Sequence, residues 1–430
     1  MVGFGKSRKD HVNLTYKIND RMRLSYMYSG KNHSIHYNDR AGKLLKLFNY
    51  DDDEHFANFS YQDKKGWSGS AYYNYRSIFN PDYFIVNLGT VEWERSHHRQ
   101  YGTEIKKVWK NDFSTTLVGF SAKRQTYDNH NQKYTSSMNS SSAVKPYAKF
   151  GPYGMNEYAL TASYDRDLSP VTAAILSMRQ DWVKSSAGDY SAFLPQLQVT
   201  TRLSRDSAVY ASIGRFFRMP NFRNLYYASS VMVPNPNLTP EFGWNYEAGY
   251  KYDGKGRRFT ATVFHTSVRD QIVGVKDSTN KTYQTNAASY QNTGLEVSYA
   301  QDIDAHVSFN TGFTVGNPKR KYKEGQDFVR ALGRYQMTAG VNYENRDLTA
   351  ALNLSYWGDR GYNGTSGDRV SFTPITTNLL VSNLHLAYRF THDLTGTFDV
   401  DNLFNRRDYT NSGRYYTVGR SFLVGVNYAF

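Results

Sequence analysis

The side chains best suited to grip a small ligand in this 430-residue sequence fall in one run, FRMPNFRNLYY, residues 217–227. Arg218 and Arg223 alternate there with Phe222, Tyr226 and Tyr227. Guanidinium groups and ring faces at this spacing can stack on and ion-pair with a flat anionic ligand, such as a ferric catecholate chelate. Bracing the base of a loop is the alternative, and the favoured, reading of the same residues. Other candidates offer less. GFGKS, residues 3–7, has the glycines and lysine of a phosphate loop without its spacing or its preceding strand. EWERSHH offers Glu92, Glu94, His97 and His98 as metal-ligand types, and reads as well as a solvated outer loop. DDDE, residues 51–54, suits a hard cation or a repulsive, solvent-exposed charge run. No nucleophile and base pair, cofactor loop or metal-ligand spacing stands out. The sequence therefore points to no catalytic residue, cofactor or resident metal, and away from an enzyme.

The elements that must position these groups are strands. In the terminal run RSFLVGVNYAF, residues 420–430, Phe422, Val424, Val426, Tyr428 and Phe430 share one face, because successive strand side chains point to opposite sides. In LTGTFDVDNLF, Leu394, Phe398, Val400 and Phe404 oppose Thr395, Thr397, Asp399 and Asp401; in NLHLAYRF, Leu384, Leu386, Tyr388 and Phe390 oppose Asn383, His385 and Arg389; LTAALNLSYW repeats the pattern. A soluble sandwich alternates in the same way, so polarity alone does not say which face is inside.

Composition and connection lengths narrow the choice. Tyr and Phe number 37 and 25 and aromatics reach 16%, yet only 39% of residues are hydrophobic and mean hydropathy is -0.67. Interfacial aromatic girdles around a polar lumen produce this combination. No run approaches the roughly 18 apolar residues of a membrane helix. Nine short polar connections, at INDR, DKKG, KNDF, DRDLS, SRDS, DGKG, QDID, ENRD and THDL, alternate with longer ones rich in Tyr, Asn, Ser and Arg, of roughly ten to over thirty residues. In the short ones Asn, Asp and Gly are expected to supply positive φ angles. Short turns on one side and long loops on the other are the sidedness of an outer-membrane barrel. The expectation is an all-β, transmembrane antiparallel barrel forming a single domain over residues 1–430, with about 19 strands, the first being HVNLTYKI and MVGFGKSRKD lying in an outer loop. Cysteine is absent, which fits an oxidising periplasm only weakly. The net charge of +14 is scattered, with no basic helix or nucleic-acid motif, and lipid phosphates or anionic solutes explain it as well as nucleic acid would, so no nucleic-acid partner is expected.

The stretch IGRFFRMPNFRNLYYASSVMVPNPNLTPEFGWNYEAGYKY, residues 213–252, resembles a segment of the TonB-dependent outer-membrane receptors: a strand, a loop with Arg-x-Pro and a Leu-Tyr pair, Asn-Pro-Asn-Leu-x-Pro-Glu, and a strand with Glu247 and Gly249. FTATVFHTSVRDQIVG, NTGLEVSYA, DNLFNRRDY and VGRSFLVGVNYAF follow in the family's order. The resemblance implies a 22-stranded barrel around an N-terminal plug, a box that binds TonB, and uptake of a scarce solute such as a ferric siderophore, haem or a corrinoid. It further implies that three strands, the plug, the TonB box and a signal peptide lie outside this chain, making it a fragment, a split product or a misassigned start. Gly425, Tyr428 and Phe430 match the family's assembly signal, read by the barrel-insertion machinery, and Leu423 departs from it, a polar residue being usual there. The implied partners are outer-membrane lipid and lipopolysaccharide, with Arg406 and Arg407 at the outer rim. Rival expectations are a passive porin-like channel, a non-functional receptor fragment and a soluble sandwich.

Overall fold

A computed structural model describes residues 2–38, 44–85, 90–135, 148–228, 232–279, 281–286, 289–322, 325–366, 369–408 and 417–429. In chain order the strands begin with β1 (Val2–Lys17), β2 (Met22–Asn38), β3 (Leu44–Gln62), β4 (Trp67–Ile85), β5 (Thr90–Lys110), β6 (Ser114–Thr135), β7 (Ala148–Asp167), β8 (Thr172–Ser185), β9 (Gly188–Arg202) and β10 (Ser207–Arg218). A short helix, α1 (Phe222–Tyr226), precedes β11 (Met232–Val233), β12 (Glu241–Gly254), β13 (Arg257–Arg269), β14 (Ile272–Lys276), β15 (Thr282–Asn286), β16 (Ser289–Asp302), β17 (Val307–Gly316), β18 (Lys319–Lys321) and β19 (Val329–Arg330). Last come β20 (Tyr335–Glu344), β21 (Leu348–Gly358), β22 (Gly361–Ser366), β23 (Arg369–Pro374), β24 (Leu379–Arg389), β25 (Leu394–Asp401) and β26 (Ser421–Tyr428).

One antiparallel sheet of 21 strands forms the wall. Two of these, β18 and β19, are short bridges, leaving 19 long strands, each hydrogen-bonded to the next long one in the chain. Among the described residues β1 and β26 share no pairing, so the sheet is open along that line. The apolar face is the outward one. On β5 to β9 the exposed residues Ile105, Phe120, Leu160, Leu176 and Phe193 stand on the same side, while their sequence neighbours turn inward and bond across strands. Gln125 and Lys123 meet Glu157 and Asn74 meets Glu54 across strands, and Arg179 grips Asp181 along β8. Polar groups that satisfy one another inside, with oily rings exposed outside, is the reverse of a soluble sandwich and fits a wall facing hydrocarbon. Among the described residues no helix is long and apolar enough to cross a membrane.

All nine short connections are hairpin turns at one rim. Most close by a different device from the one expected. Asn19, Asn111, Asp304 and Asn345 each accept two backbone N–H groups on a side-chain oxygen, Ser169 and Thr391 do the same through hydroxyls, and the Ser204 hydroxyl accepts one, from Asp206, and pairs with the Ser207 hydroxyl. These are Asx and Ser/Thr turns, in which the side chain stands in for a backbone acceptor. Positive φ appears in two of the nine, at Gly66 and at the consecutive pair Lys255 and Gly256.

The N-terminal half departs furthest from expectation. MVGFGKSRKD is not an outer loop: Val2 onward is β1, paired with β2 in antiparallel register with a shift between Phe4 and Ser7. GFGKS is therefore strand and cannot wrap a phosphate. DDDE and EWERSHH also lie within strands, β3 and β5, rather than in solvated loops. The connection between β8 and β9 shrinks to residues 186–187. The physical reason is length. A membrane strand needs about ten residues, whereas β6 has 22, about 70 Å at roughly 3.3 Å per residue. Its outer half stands beyond the bilayer, where both faces meet water and the alternation that betrays a strand disappears, although the pairing continues.

Candidate functional site

The run that opened the analysis ends β10 and forms α1. Asn221 caps the helix, its side-chain oxygen accepting from Asn224 N at 2.8 Å. From there the chain folds across the inner face. Phe222 packs against Tyr127, Met155 and Val183 of β6, β7 and β8, Tyr226 stacks on Tyr153 with ring centroids 3.6 Å apart, and buried Tyr227 donates its hydroxyl to Glu94 of β5 at 3.1 Å. Arg218 forks onto Glu241 at the start of β12, with contacts of 3.0 and 2.5 Å, and the same buried carboxylate accepts from Ile272 N. Four of the five expected ligand residues thus hold the strap to the wall. Arg223 is exposed, its guanidinium 4.3 Å from the Tyr227 ring centroid. The strap is clasped on its far side by the small sheet of β11, β15 and β14, with Asn286 bridging Thr239 and Asp270.

The other expected groups separate. Strand geometry puts Glu94 and His98 on the inner face of β5 and His97 on the outer. Glu94 binds Asn129 and Tyr227, His98 lies over Tyr127, and His97 Nδ1 donates to the Asp128 carboxylate at 2.7 Å. The side chain of Glu92 lies outside the described residues. The acids of DDDE divide likewise: Asp52 takes a two-point contact from Arg76 and Glu54 bonds Asn74 inside, while Asp51 bonds Asn32 and Asp53 bonds Tyr28 outside. Among the described residues no group of three or more His, Cys, Asp or Glu could hold a metal. Arg406 and Arg407 are exposed at the outer rim, in a loop anchored by Asn402. Gly425 sits where a Cβ would press on Thr397, Tyr428 points outward, and Phe430 lies outside the described residues.

Sequence reading missed a compartment of about 550 Å³ on the opposite stretch of inner wall. Phe264, Tyr290 and Trp357 supply aromatic surface there, and Asn292, Gln336 and Arg334 the polar groups, all at the outer ends of β13 to β21. Two enclosed atoms lack a hydrogen-bond partner, Asn292 Oδ1 and Arg334 Nε, the latter 3.7 Å from Asp359 Oδ2 and so beyond bonding reach. Gly316 makes room, since a Cβ there would come within 2.9 Å of Asn292 Oδ1. The only signal in the sequence was the inward parity of these residues on strands fixed by their lipid-facing partners.

Residues 4–403 match the family model described as TonB dependent receptor-like, beta-barrel. The chain belongs to the TonB-dependent receptor family. This is a family of receptors and transporters rather than enzymes, and membership together with the barrel wall makes the chain an outer-membrane protein. The TonB-dependent receptor chain is 24% identical to Vitamin B12 transporter BtuB of Photobacterium profundum over 244 residues, and 24% identical to that of Vibrio vulnificus over 232. These matches cover 55% and 51% of this chain and 37% and 34% of those proteins, so the chain spans little more than a third of the curated relatives' length. Among solved structures it superimposes on Copper transporter OprC with a TM-score of 0.77 at 17% identity, covering 99% of this chain and 72% of that one. The siderophore receptor PirA from Acinetobacter baumannii gives 0.75 at 14%, covering 100% and 71%. At these identities the structural likeness speaks for the fold.

Proposed function

We propose that this chain is the wall and outer mouth of a bacterial receptor for energised uptake of a scarce solute, a corrinoid or a ferric siderophore, captured in the compartment beside Trp357. The observation that carries the reading is the enclosed Asn292 Oδ1, which lacks a hydrogen-bond partner, beside Arg334 Nε, held only by a 3.7 Å ion pair with Asp359, among the aromatic side chains Phe264, Tyr290 and Trp357. Leaving an enclosed acceptor such as Asn292 Oδ1 unpaired costs about 1 to 3 kcal/mol, a cost that a ligand with a matching donor removes. A planar macrocycle fringed by amides suits rings plus amide and guanidinium groups, and two of the curated relatives carry the name of a vitamin B12 transporter. Arg223 would face the solute from the other wall. In the intact receptor, TonB acting through a plug domain would release the solute inward.

The test is equilibrium binding to purified protein, with cyanocobalamin, a ferric catecholate and haem as probes. One probe should bind, and Asn292→Ala and Arg334→Gln should each weaken it by about tenfold, the loss of one hydrogen bond to a charged or enclosed partner. Binding by none of the three, or full affinity in both variants, would refute the assignment. Bilayer conductance separates the passive-channel reading, which requires steady ion flow without added solute.

A further inference from the structure

Beneath the strap, the inner face of β4, β5 and β6 gathers oxygen atoms that its own donors do not satisfy. Asn80 of β4 and Glu94 of β5 are cross-strand partners, and Asn129 follows on β6, opposite Ser96 and diagonal to Glu94. They share the inner face, where Glu94 receives the Tyr227 hydroxyl of the strap at 3.1 Å and the Asn129 amide at 2.7 Å. Asn80 and Asn129 are only 4% and 0% exposed, yet Asn80 Oδ1 and Asn129 Oδ1 have no hydrogen-bond partner. Two enclosed acceptors therefore flank one carboxylate. Glu94 takes the Nδ2 end of Asn129, which fixes that amide and leaves its oxygen idle.

Positive charge is what the group lacks. The hydrogen-bond partners of Glu94 among the described residues, Asn129 and Tyr227, are both neutral, and the Arg223 guanidinium lies over the Tyr227 ring, 4.3 Å from its centroid. Burial, and after it the charge of Glu94, push the Tyr127 hydroxyl up, so the field of the carboxylate is felt across this part of the wall. The three side chains lie on adjacent strands, spaced by roughly 4.8 Å, and offer oxygen alone. Oxygen donors suit hard cations rather than metals that seek thiolate or imidazole. His97 stands on the opposite face with Asp128, and His98 lies over Tyr127, so neither builds a transition-metal set. A single carboxylate balances a single charge. A divalent ion would leave an uncompensated charge in an enclosed place, which is why calcium sites gather several acids.

We propose that Asn80, Glu94 and Asn129 bind a single monovalent alkali cation, Na+ or K+, which secures the strap to the wall through Tyr227. Glu94 is half-exposed and leaves the ion a path of entry. The site is separate from the compartment beside Trp357 and independent of which solute is carried. The test uses the full chain in a non-ionic detergent, with the chlorides of sodium, potassium, calcium and N-methylglucamine as probes at one ionic strength. Sodium NMR relaxation, with potassium titrated against it, reports the bound ion, and limited proteolysis within residues 219–240 reports the strap. Na+ or K+ should slow strap cleavage about tenfold relative to N-methylglucamine, the mass-action factor when the ion exceeds its dissociation constant about tenfold. Glu94→Gln, which keeps the size and one acceptor, should abolish that difference. Asn80→Ala leaves the bond between Tyr227 and Glu94 in place and should weaken the ion's effect. Asn80→Asp adds a second carboxylate and should make Ca2+ the preferred ion by about tenfold or more. Equal cleavage in every salt, as a trapped water in place of the ion would give, would overturn the proposal. So would an ion effect that survives in Glu94→Gln, or tighter binding of Ca2+ than of either monovalent ion by the unsubstituted chain.

Discussion

Glu241 shows how a single carboxylate organises the outer mouth. It is buried at the head of β12 and accepts from Arg218 and from the Ile272 backbone, joining the ends of three segments. Glu241→Ala leaves the enclosed Ile272 N–H without an acceptor, worth about 1 to 3 kcal/mol. Because Arg218 stays largely solvated, little is added for its lost partner. The expected outcome is faster limited proteolysis within residues 219–240 and 270–288 with the strand signal in circular dichroism intact; unchanged cleavage would contradict the hub. Asp304 makes a smaller prediction at the opposite rim. Hydrogen bonds from His306 N, then Val307 N, hold its carboxyl below the ordinary range. A lowered folded value means that the turn's stabilisation is present above the usual carboxylate range and disappears as pH falls through the folded value. Amide exchange at His306 and Val307, normalised for intrinsic rates, should lose protection in acid, and Asp304→Ala should show that loss at neutral pH.

At the scale of elements, the strand faces divide the labour. The outward residue Leu160 and its inward neighbour Thr161 differ by one position in β7. Leu160→Lys should destabilise the folded barrel by roughly 2 to 4 kcal/mol if that height lies near the bilayer midplane, and Thr161→Lys by much less, because the inner face is wet. Urea unfolding from vesicles measures the difference; equal penalties would mean that the faces are misassigned. The strap from Met219 to Pro240 is the second functional element. Its contacts reach wall strands far from its own ends, through Phe222 on Tyr127 and Tyr227 on Glu94. Alternation could not foresee it, since a five-residue helix has no periodicity to read, and the residues chosen as ligands from chemistry alone turned out to be largely its anchors.

For the whole molecule, the decisive property is solvent. Exposed side chains such as Val263, Phe193 and Trp109 would make the sheet insoluble in buffer, and unpaired edges in lipid are costly because no water replaces the missing hydrogen bonds. The chain should show its full strand spectrum only with detergent or lipid vesicles. A monodisperse species in plain buffer would contradict the outward assignment of the apolar face.

The amino-acid pattern alone determined the number of long strands, the positions of all nine tight turns and the sidedness of the wall, because turn chemistry is local and the lipid-facing period of two is written into every crossing. Tertiary structure decided the rest. Beyond the bilayer both strand faces are wet, so the outer halves of β1 to β7 carry no alternation and only their pairing shows them to be strands. The compartment at Asn292 and Arg334 and the anchoring of the strap each join residues from several strands. Such junctions exist only after the sheet has set its register, so no single stretch of sequence could announce them.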